Sequence, residues 1–93
     1  MISVESRPRL AAKARLRLDR KTDRTMILFP EKGIELSATA ADIIRLCTGE
    51  ASVSSIVDQL HAKYAASDRA AVEREVLAFL NAMRDRCLIE ILS

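Results

Sequence analysis

Few residues of this 93-residue chain are of the types that perform catalysis, and their spacing does not suit it. The one histidine, His61, lies among residues of a predicted helix and suits a structural role. Glu73 and Glu75 are two positions apart, so on a helix they face different directions and cannot form a local acid–base pair. The chain has no GxSxG, P-loop or HExxH motif. We therefore predict that it is not an enzyme.

The chain also has few residues that could bind a metal or a cofactor. A zinc site needs about four ligands, and this chain offers one His and two Cys, Cys47 and Cys87, without ligand spacing. We expect no metal and no cofactor, and two buried free thiols in a reducing cytoplasm. The first residues lack an apolar signal segment, and no apolar run approaches membrane-spanning length. A cytoplasmic location without membrane contact follows.

Charge is distributed unevenly along the chain. Lys and Arg number 15 against 13 Asp and Glu, but residues 1–24 hold eight basic and three acidic residues, a net +5. The remaining residues carry a net −3. This basic segment is either a solvated terminus or an electrostatic handle for an acidic partner. Aromatic residues are 3% with no Trp, which argues against an aromatic platform for stacking nucleic-acid bases.

The first third of the chain reads as strands. Residues 1–12 lack periodicity and contain Pro8, so we predict a flexible N-terminal tail, followed by a single domain over 13–93. Three short segments then alternate or are rich in strand formers, with polar or Pro/Gly turns over 19–23 and 30–33 between them: 14–18, 25–29 and 34–36. These predict a three-stranded antiparallel meander.

From residue 37 onward the apolar period becomes helical. Residues that favour helix N-caps stand before three such stretches: Ser37 or Thr39, Ser52, and Ser67 or Asp68. Gly49 is predicted to end the first helix with a left-handed cap, and the third helix is predicted to run to about Arg86. The apolar positions of the third helix fall in one sector: Val72, Val76, Phe79, Leu80, Met83 and Cys87. Residues 88–92 predict a final strand.

This order predicts an α+β, winged-helix-like fold: a three-stranded antiparallel β-sheet, a three-helix bundle and a short C-terminal strand. Such folds bind DNA or proteins, so the fold does not decide the function. A winged-helix DNA-binding regulator remains the alternative, but the third helix balances its acidic and basic residues, whereas phosphate contacts require excess positive charge.

Peptide binding is the better-supported class. Ala71, Ala78 and Ala82 lie together beside the apolar stripe of the third helix, flanked by Glu75 and Arg86. They form either a trough or a contact for another helix. If the strand over 34–36 is the edge of the sheet, its free backbone groups can pair with an extended peptide.

The sequence also resembles a known family, the D proteins of pyrroloquinoline quinone (PQQ) biosynthesis, which are small peptide chaperones. The resemblance begins at Leu28-Phe29-Pro30-Glu31 and continues through Leu36, Ala40, Ile43-Ile44, Leu46-Cys47, Gly49, Ile56, Leu60, Tyr64, Val76, Phe79-Leu80 and Leu88-Ile89. It departs at Thr48, where the family often has Asp, and at Arg86-Cys87, where the family tends to have Gly-Trp. Neither departure falls in the proposed trough.

The resemblance implies a peptide-recognition domain. It would bind the ribosomally made precursor peptide (the A protein) as an added strand and present it to a radical S-adenosylmethionine (SAM) enzyme (the E protein). The strand-pairing residues carried over by position are Lys32, Ile34, Glu35 and Leu36. The residues facing them, inferred from the helical wheel, are Glu75, Ala78, Phe79, Ala82 and Arg86. Leu77 is either an enzyme contact or an ordinary surface residue, and the open edge can also pair two copies as a homodimer.

Overall fold

Strands lie near the two ends of the chain, and the helices lie between them in sequence. The computed structural model describes residues 2–19, 21, 24–29, 32–64 and 68–92. The elements of this described part, in chain order, are β1 (Arg7–Leu10), β2 (Arg15–Asp19), β3 (Arg24–Phe29), β4 (Lys32–Leu36), α1 (Ala38–Arg45), α2 (Val53–Lys63), α3 (Arg69–Asp85) and β5 (Ile89–Leu92). The predicted α+β, winged-helix-like arrangement is confirmed.

The meander forms as its alternation predicts. Strands β2, β3 and β4 pair in that order, each antiparallel to the next. Leu16, Ile27 and Ile34 lie side by side across the sheet and face the core, where Ile27 is fully buried. The predicted turns over 19–23 and 30–33 lie partly outside the described residues. Where they are described, the prediction needs correction, because Asp19 belongs to β2 and Lys32 and Gly33 belong to β4.

The N-terminal segment is not the flexible tail that its sequence predicts. Strand β1 pairs antiparallel with β5, with Pro8 opposite Ile91, and Pro8 is fully buried. Ile2 also joins the core at 4% exposure. The carbonyls of Val4 and Ser6 accept bonds from the first amides of α2, which no intrahelical group can satisfy. The expectation of a flexible tail over residues 1–12 is therefore wrong. Strand β5, which pairs with β1, is about 80 residues away in the sequence, so short-range patterns do not indicate this pairing.

The helices begin where the cap residues indicate. Ser37 Oγ accepts a hydrogen bond from the amide of Ala40 at 3.1 Å, and Ser52 Oγ accepts one from Ser55 at 3.1 Å. Asp68 is the N-cap of α3, with no side-chain cap bond, and the alternative Ser67 lies outside the described residues. These caps supply partners for amides that the first helical turns leave unpaired.

Gly49 does not end α1, contrary to the prediction. The helix ends at Arg45 with Leu46 as C-cap, and Gly49 lies four residues further on, with a φ of 86°. Its amide donates to the carbonyl of Pro8 at 2.9 Å, and a Cβ at this position would lie 2.9 Å from a methyl carbon of Leu92. The β1–β5 pair packs against this glycine, which explains the requirement for a small residue with positive φ.

The core lies between the inner face of the meander and the three helices. Helix α3 buries Val72, Val76, Leu80 and Met83, and Phe79 packs at the margin, as its periodicity predicts. Cys47 is buried as expected, but the expectation for Cys87 is wrong, because it is exposed just beyond the end of α3. None of the described helices is long and apolar enough to cross a membrane.

Candidate functional site

Strand β4 lies at one edge of the meander and pairs with β3 on one side. Only residues 30 and 31 separate Phe29 from its partner Lys32. A two-residue connection makes the flanking residues a hydrogen-bonded pair, and such pairs alternate along an antiparallel ladder. Lys32, Ile34 and Leu36 therefore bond to β3, whereas Gly33 and Glu35 direct their N–H and C=O groups to the open side.

This alternation refines the predicted strand residues. Glu35 offers backbone groups at the edge, while Ile34 and Leu36 contribute side chains that face the core side, Leu36 at 8% exposure. Gly33 also has an open backbone position, which sequence reasoning missed because it assigned Gly33 to the turn over 30–33. The side chain of Lys32 lies outside the described part of the structure.

The other edge of the sheet, β2, is less suited to accept a strand. Arg15 and Arg17 project from it and are exposed, and long cationic side chains on an edge strand oppose pairing with a further chain. β4 instead exposes Gly33 and carries Ile34 and Leu36 on its inner side. β4 is thus the more favourable of the two edges for strand addition.

The predicted residues of α3 form one exposed side of that helix. Glu75, Ala78 and Ala82 are exposed, Phe79 is half-buried against the core, and Arg86 is exposed just after the last turn. Ile34 and Phe79 both pack against the core cluster. Leu77, on the opposite flank, also packs against the core, which accounts for an apolar residue there.

A small cavity lies between α1, the C-terminal part of α2 and α3. It has a volume of about 100 Å³ and is lined by Thr39, Ile43, Leu60, Tyr64, Val72, Glu75 and Val76. Thr39 follows Leu36 by three residues, so the cavity brings the start of α1 next to Glu75. Of the predicted site residues, Glu75 is the one that lines it. The cavity combines apolar side chains of Ile43, Leu60, Val72 and Val76 with polar groups of Thr39, Tyr64 and Glu75. Such a mixed lining suits a pocket for one side chain.

A carboxylate that was not among the predicted site residues binds Tyr64, which lines this cavity. Asp42 of α1 accepts hydrogen bonds from the Tyr64 hydroxyl at 2.5 Å and from Lys63 Nζ at 2.9 Å, and its side chain is only 13% exposed. The hydrogen bonds from Tyr64 and Lys63 lower the pKa of Asp42. The bond to Asp42 in turn raises the pKa of the Tyr64 phenol. Sequence reasoning missed this cluster because its partners are about 20 residues apart.

The charge distribution on α3 does not support nucleic-acid binding. Arg69 pairs with Asp58 of α2 at 2.8 Å and with Glu73 at 3.5 Å. The exposed surface of α3 mixes Arg74 and Glu75 side by side. A helix that docks on phosphates needs a patch of excess positive charge, and α3 has none among its described residues.

Nucleophilic and metal chemistry also find little support. Burial raises the pKa of the Cys47 thiol to about 12, and its Sγ donates to the carbonyl of Ile43 at 3.2 Å. A thiol with so high a pKa is a poor nucleophile at neutral pH. No group of three or more metal-ligating side chains occurs within the ranges that the structure describes.

Comparison with known proteins gives a consistent result. Residues 24–89 match the family model described as coenzyme PQQ synthesis protein D (PqqD). A protein of Rhodopseudomonas palustris strain BisB5, named PqqA binding protein, is 42% identical over 91% of this chain and 82% of its own length. Proteins of the same name from Methylococcus capsulatus and Xanthomonas axonopodis pv. citri are 44% and 31% identical, over 68% and 97% of this chain.

A solved structure is similar over nearly the whole chain. It is the solution NMR structure of the PqqD truncation of Methylobacterium extorquens PqqCD, described as a functional, stand-alone recognition element for ribosomally synthesised and post-translationally modified peptides. The TM-score is 0.82 at 29% identity, covering 97% of this chain and 95% of the other. The similarity therefore includes β1 and the predicted site.

Proposed function

Because the chain belongs to the family of coenzyme PQQ synthesis protein D, we propose that it is a recognition element that binds the precursor peptide of PQQ biosynthesis. The observation that carries this proposal is the open edge of β4, with Gly33 and Glu35 directing backbone groups outward beside an apolar inner margin. The alternative, a DNA-binding regulator, finds no support in the charge of α3 or in the relatives.

In this proposal the peptide extends the meander as a fourth strand. Backbone bonds to Gly33 and Glu35 set its register without depending on its sequence. Every second peptide side chain then faces inward, between Ile34 and Leu36 on β4 and the α3 side formed by Glu75, Ala78, Phe79, Ala82 and Arg86. Small alanines leave room for larger peptide side chains, and Phe79 offers an apolar contact.

The chemistry that follows belongs to a partner in this proposal. The protein itself does not catalyse a reaction and carries no cofactor; it holds the peptide extended for a radical SAM enzyme. We place this function in the cytoplasm, where the ribosome makes the precursor peptide. Without peptide, the open β4 edge can pair with a second copy, so the free protein is expected to have some tendency to dimerise.

One proline substitution at each edge of the meander tests strand addition. Glu35→Pro removes an outward N–H of β4, and Leu18→Pro removes the equivalent outward N–H of β2. We expect Glu35→Pro to weaken binding of the synthetic precursor peptide by about tenfold or more, because a backbone bond is lost and the ring obstructs pairing. Titration calorimetry gives the affinities.

The control is Leu18→Pro, which is expected to bind the peptide within about twofold of the wild type. Circular dichroism establishes that both variants keep their helices. Unchanged affinity in a folded Glu35→Pro variant would show that the peptide does not add to β4, and a loss in Leu18→Pro alone would move the site to β2.

A further inference from the structure

The basic segment singled out in the sequence lies partly on the solvent side of the meander. Because side chains alternate along strands, two rows of paired residues face away from the core. This outer face consists of Arg15, Leu28 and Gly33 in one row and Arg17, Met26 and Glu35 in the next.

The centre of the outer face is apolar. Met26 and Leu28 are half-buried, yet they are not among the described apolar residues that pack against the core. A Cβ on Gly33 would lie 3.0 Å from Leu28 Cδ2 and from Met26 Cε, so both side chains lie over this glycine. The two side chains therefore cover Gly33 on the outside of the edge strand β4 rather than the protein interior.

The margin of the outer face is positively charged. Arg15 and Arg17 are exposed, and neither forms an ion pair with a described residue. Arg24, at the end of β3, contacts Glu35 at 3.0 Å, and in the ladder it stands opposite Asp19, whose side chain lies outside the described part. Among the described side chains of this surface, three guanidinium groups thus accompany one carboxylate. Such a surface is complementary to carboxylates arranged around an apolar side chain.

The outer face adjoins the edge that binds peptide. A strand added beside β4 directs every second side chain to the outer face, next to Gly33 and Glu35. A protein on this face would therefore contact Met26, Leu28 and the outward peptide side chains together. A second copy of the chain fits poorly, because it would bring Arg15 and Arg17 against the same arginines.

We propose that the outer face docks an acidic protein surface, that of the enzyme which receives the bound peptide. The inference rests on the proposed function, since it assumes that the peptide lies on β4. Arginines accelerate and orient the encounter, while Met26 and Leu28 supply the apolar contact that holds the complex. The basic segment thus acts on the receiving enzyme rather than on the peptide.

Charge reversal tests the proposal. The protein, loaded with synthetic precursor peptide, is titrated with the radical SAM enzyme of the same genome at low salt. Arg15→Glu and Arg17→Glu are each expected to weaken this binding by about tenfold, with a difference that shrinks at about 0.5 M salt. Arg74→Glu, an exposed change of the same charge on α3, is the control and is expected to have no such effect. Leu28→Gln is expected to weaken enzyme binding several-fold at both salt concentrations.

Peptide affinity is measured separately for every variant and is expected to stay within about twofold of the wild type. Enzyme binding that is unchanged in Arg15→Glu and Arg17→Glu overturns the proposal, as does an equal loss in Arg74→Glu or dimerisation of the wild type through this face. A parallel loss of peptide affinity would assign the face to the peptide and also overturn it. If the wild-type protein binds no peptide, the proposed function fails, whereas normal peptide binding with unaltered enzyme binding refutes the docking face alone.

Discussion

Cys87 occupies a backbone position that usually requires glycine. It follows the C-cap of α3 with a φ of 60°. Its amide donates to the carbonyl of Arg84 at 2.9 Å, and that of Leu88 donates to Met83 at 3.0 Å. These two bonds define a Schellman motif, in which the residue at the Cys87 position adopts a left-handed conformation.

We predict that Cys87→Gly stabilises the protein by about 0.5–1 kcal/mol, because removing the Cβ relieves the left-handed strain by more than the added chain entropy costs. Urea unfolding measures the change. Cys87→Ala retains a Cβ and removes only the thiol, so it is expected to give no comparable gain. Equal stabilisation by both variants would attribute the effect to the thiol instead.

Asp42 connects α1 to the end of α2. Because the Tyr64 and Lys63 bonds lower its folded-state pKa, this carboxylate stabilises the fold fully at pH values above its ordinary pKa of 3.8. The contribution is lost as the pH falls below that value and through the depressed folded-state pKa, since protonation weakens both bonds. Acid sensitivity is therefore a property of this cluster.

We predict that Tyr64→Phe reduces the loss of stability between about pH 5 and pH 2, because it removes the largest cause of the lowered Asp42 pKa. The free energy of unfolding from urea titrations at several pH values gives the slope. In an Asp42→Asn background, the same Tyr64→Phe change should leave the slope unaltered. If it changes the slope there too, the acid dependence originates in another group.

At the scale of elements, the proposed peptide recognition assigns different roles to β4 and α3. β4 provides backbone groups whose direction is set by the two-residue connection to β3. In the same proposal α3 provides side chains, among them the small, exposed Ala78 and Ala82 and the half-buried Phe79. Helix periodicity identified that side of α3, because a stripe of small residues beside a buried stripe can be found from spacing alone.

We predict that Ala78→Glu and Ala82→Glu each weaken peptide binding by about tenfold, because a longer charged side chain fills the space beside Phe79. Both positions are exposed, so thermal unfolding should change little. Ala70→Glu, on the first turn of the same helix, is the control and is expected to leave the affinity unchanged. Normal affinity in both test variants would place the peptide away from α3.

For the whole molecule, the order and type of elements were predictable, whereas their long-range partners were not. The meander, the three helices and the caps at Ser37 and Ser52 follow from period-2 and period-3.6 patterns that are local in the chain. The β1–β5 pair joins the two ends of the chain, and Arg9 meets Glu90 across it at 2.5 Å. Arg7 to Leu10 alternates over only four residues and contains a proline, which is unfavourable within a strand, so this short pattern did not indicate β1.

The uneven charge of the chain also has a different meaning once it is folded. Part of the basic segment, including Arg9, pairs within the β1–β5 ladder. Arg15 and Arg17 instead remain exposed on one side of the meander. Sequence alone counted these residues as one group, and the fold separates the arginine that pairs across β1 and β5 from the arginines that remain unpaired among the described residues of the meander.

The sequence by itself determined the fold class, the elements of the meander and the helices, and the side of α3 that carries the candidate site. It could do so because alternation, helical spacing and capping are short-range effects, fully contained in neighbouring residues. The tertiary structure alone decided that the N-terminus is a strand, that Asp42 binds Tyr64, and that Cys87 is exposed. Each depends on contacts between distant parts of the chain, whose free energy is set by packing rather than by local sequence preference.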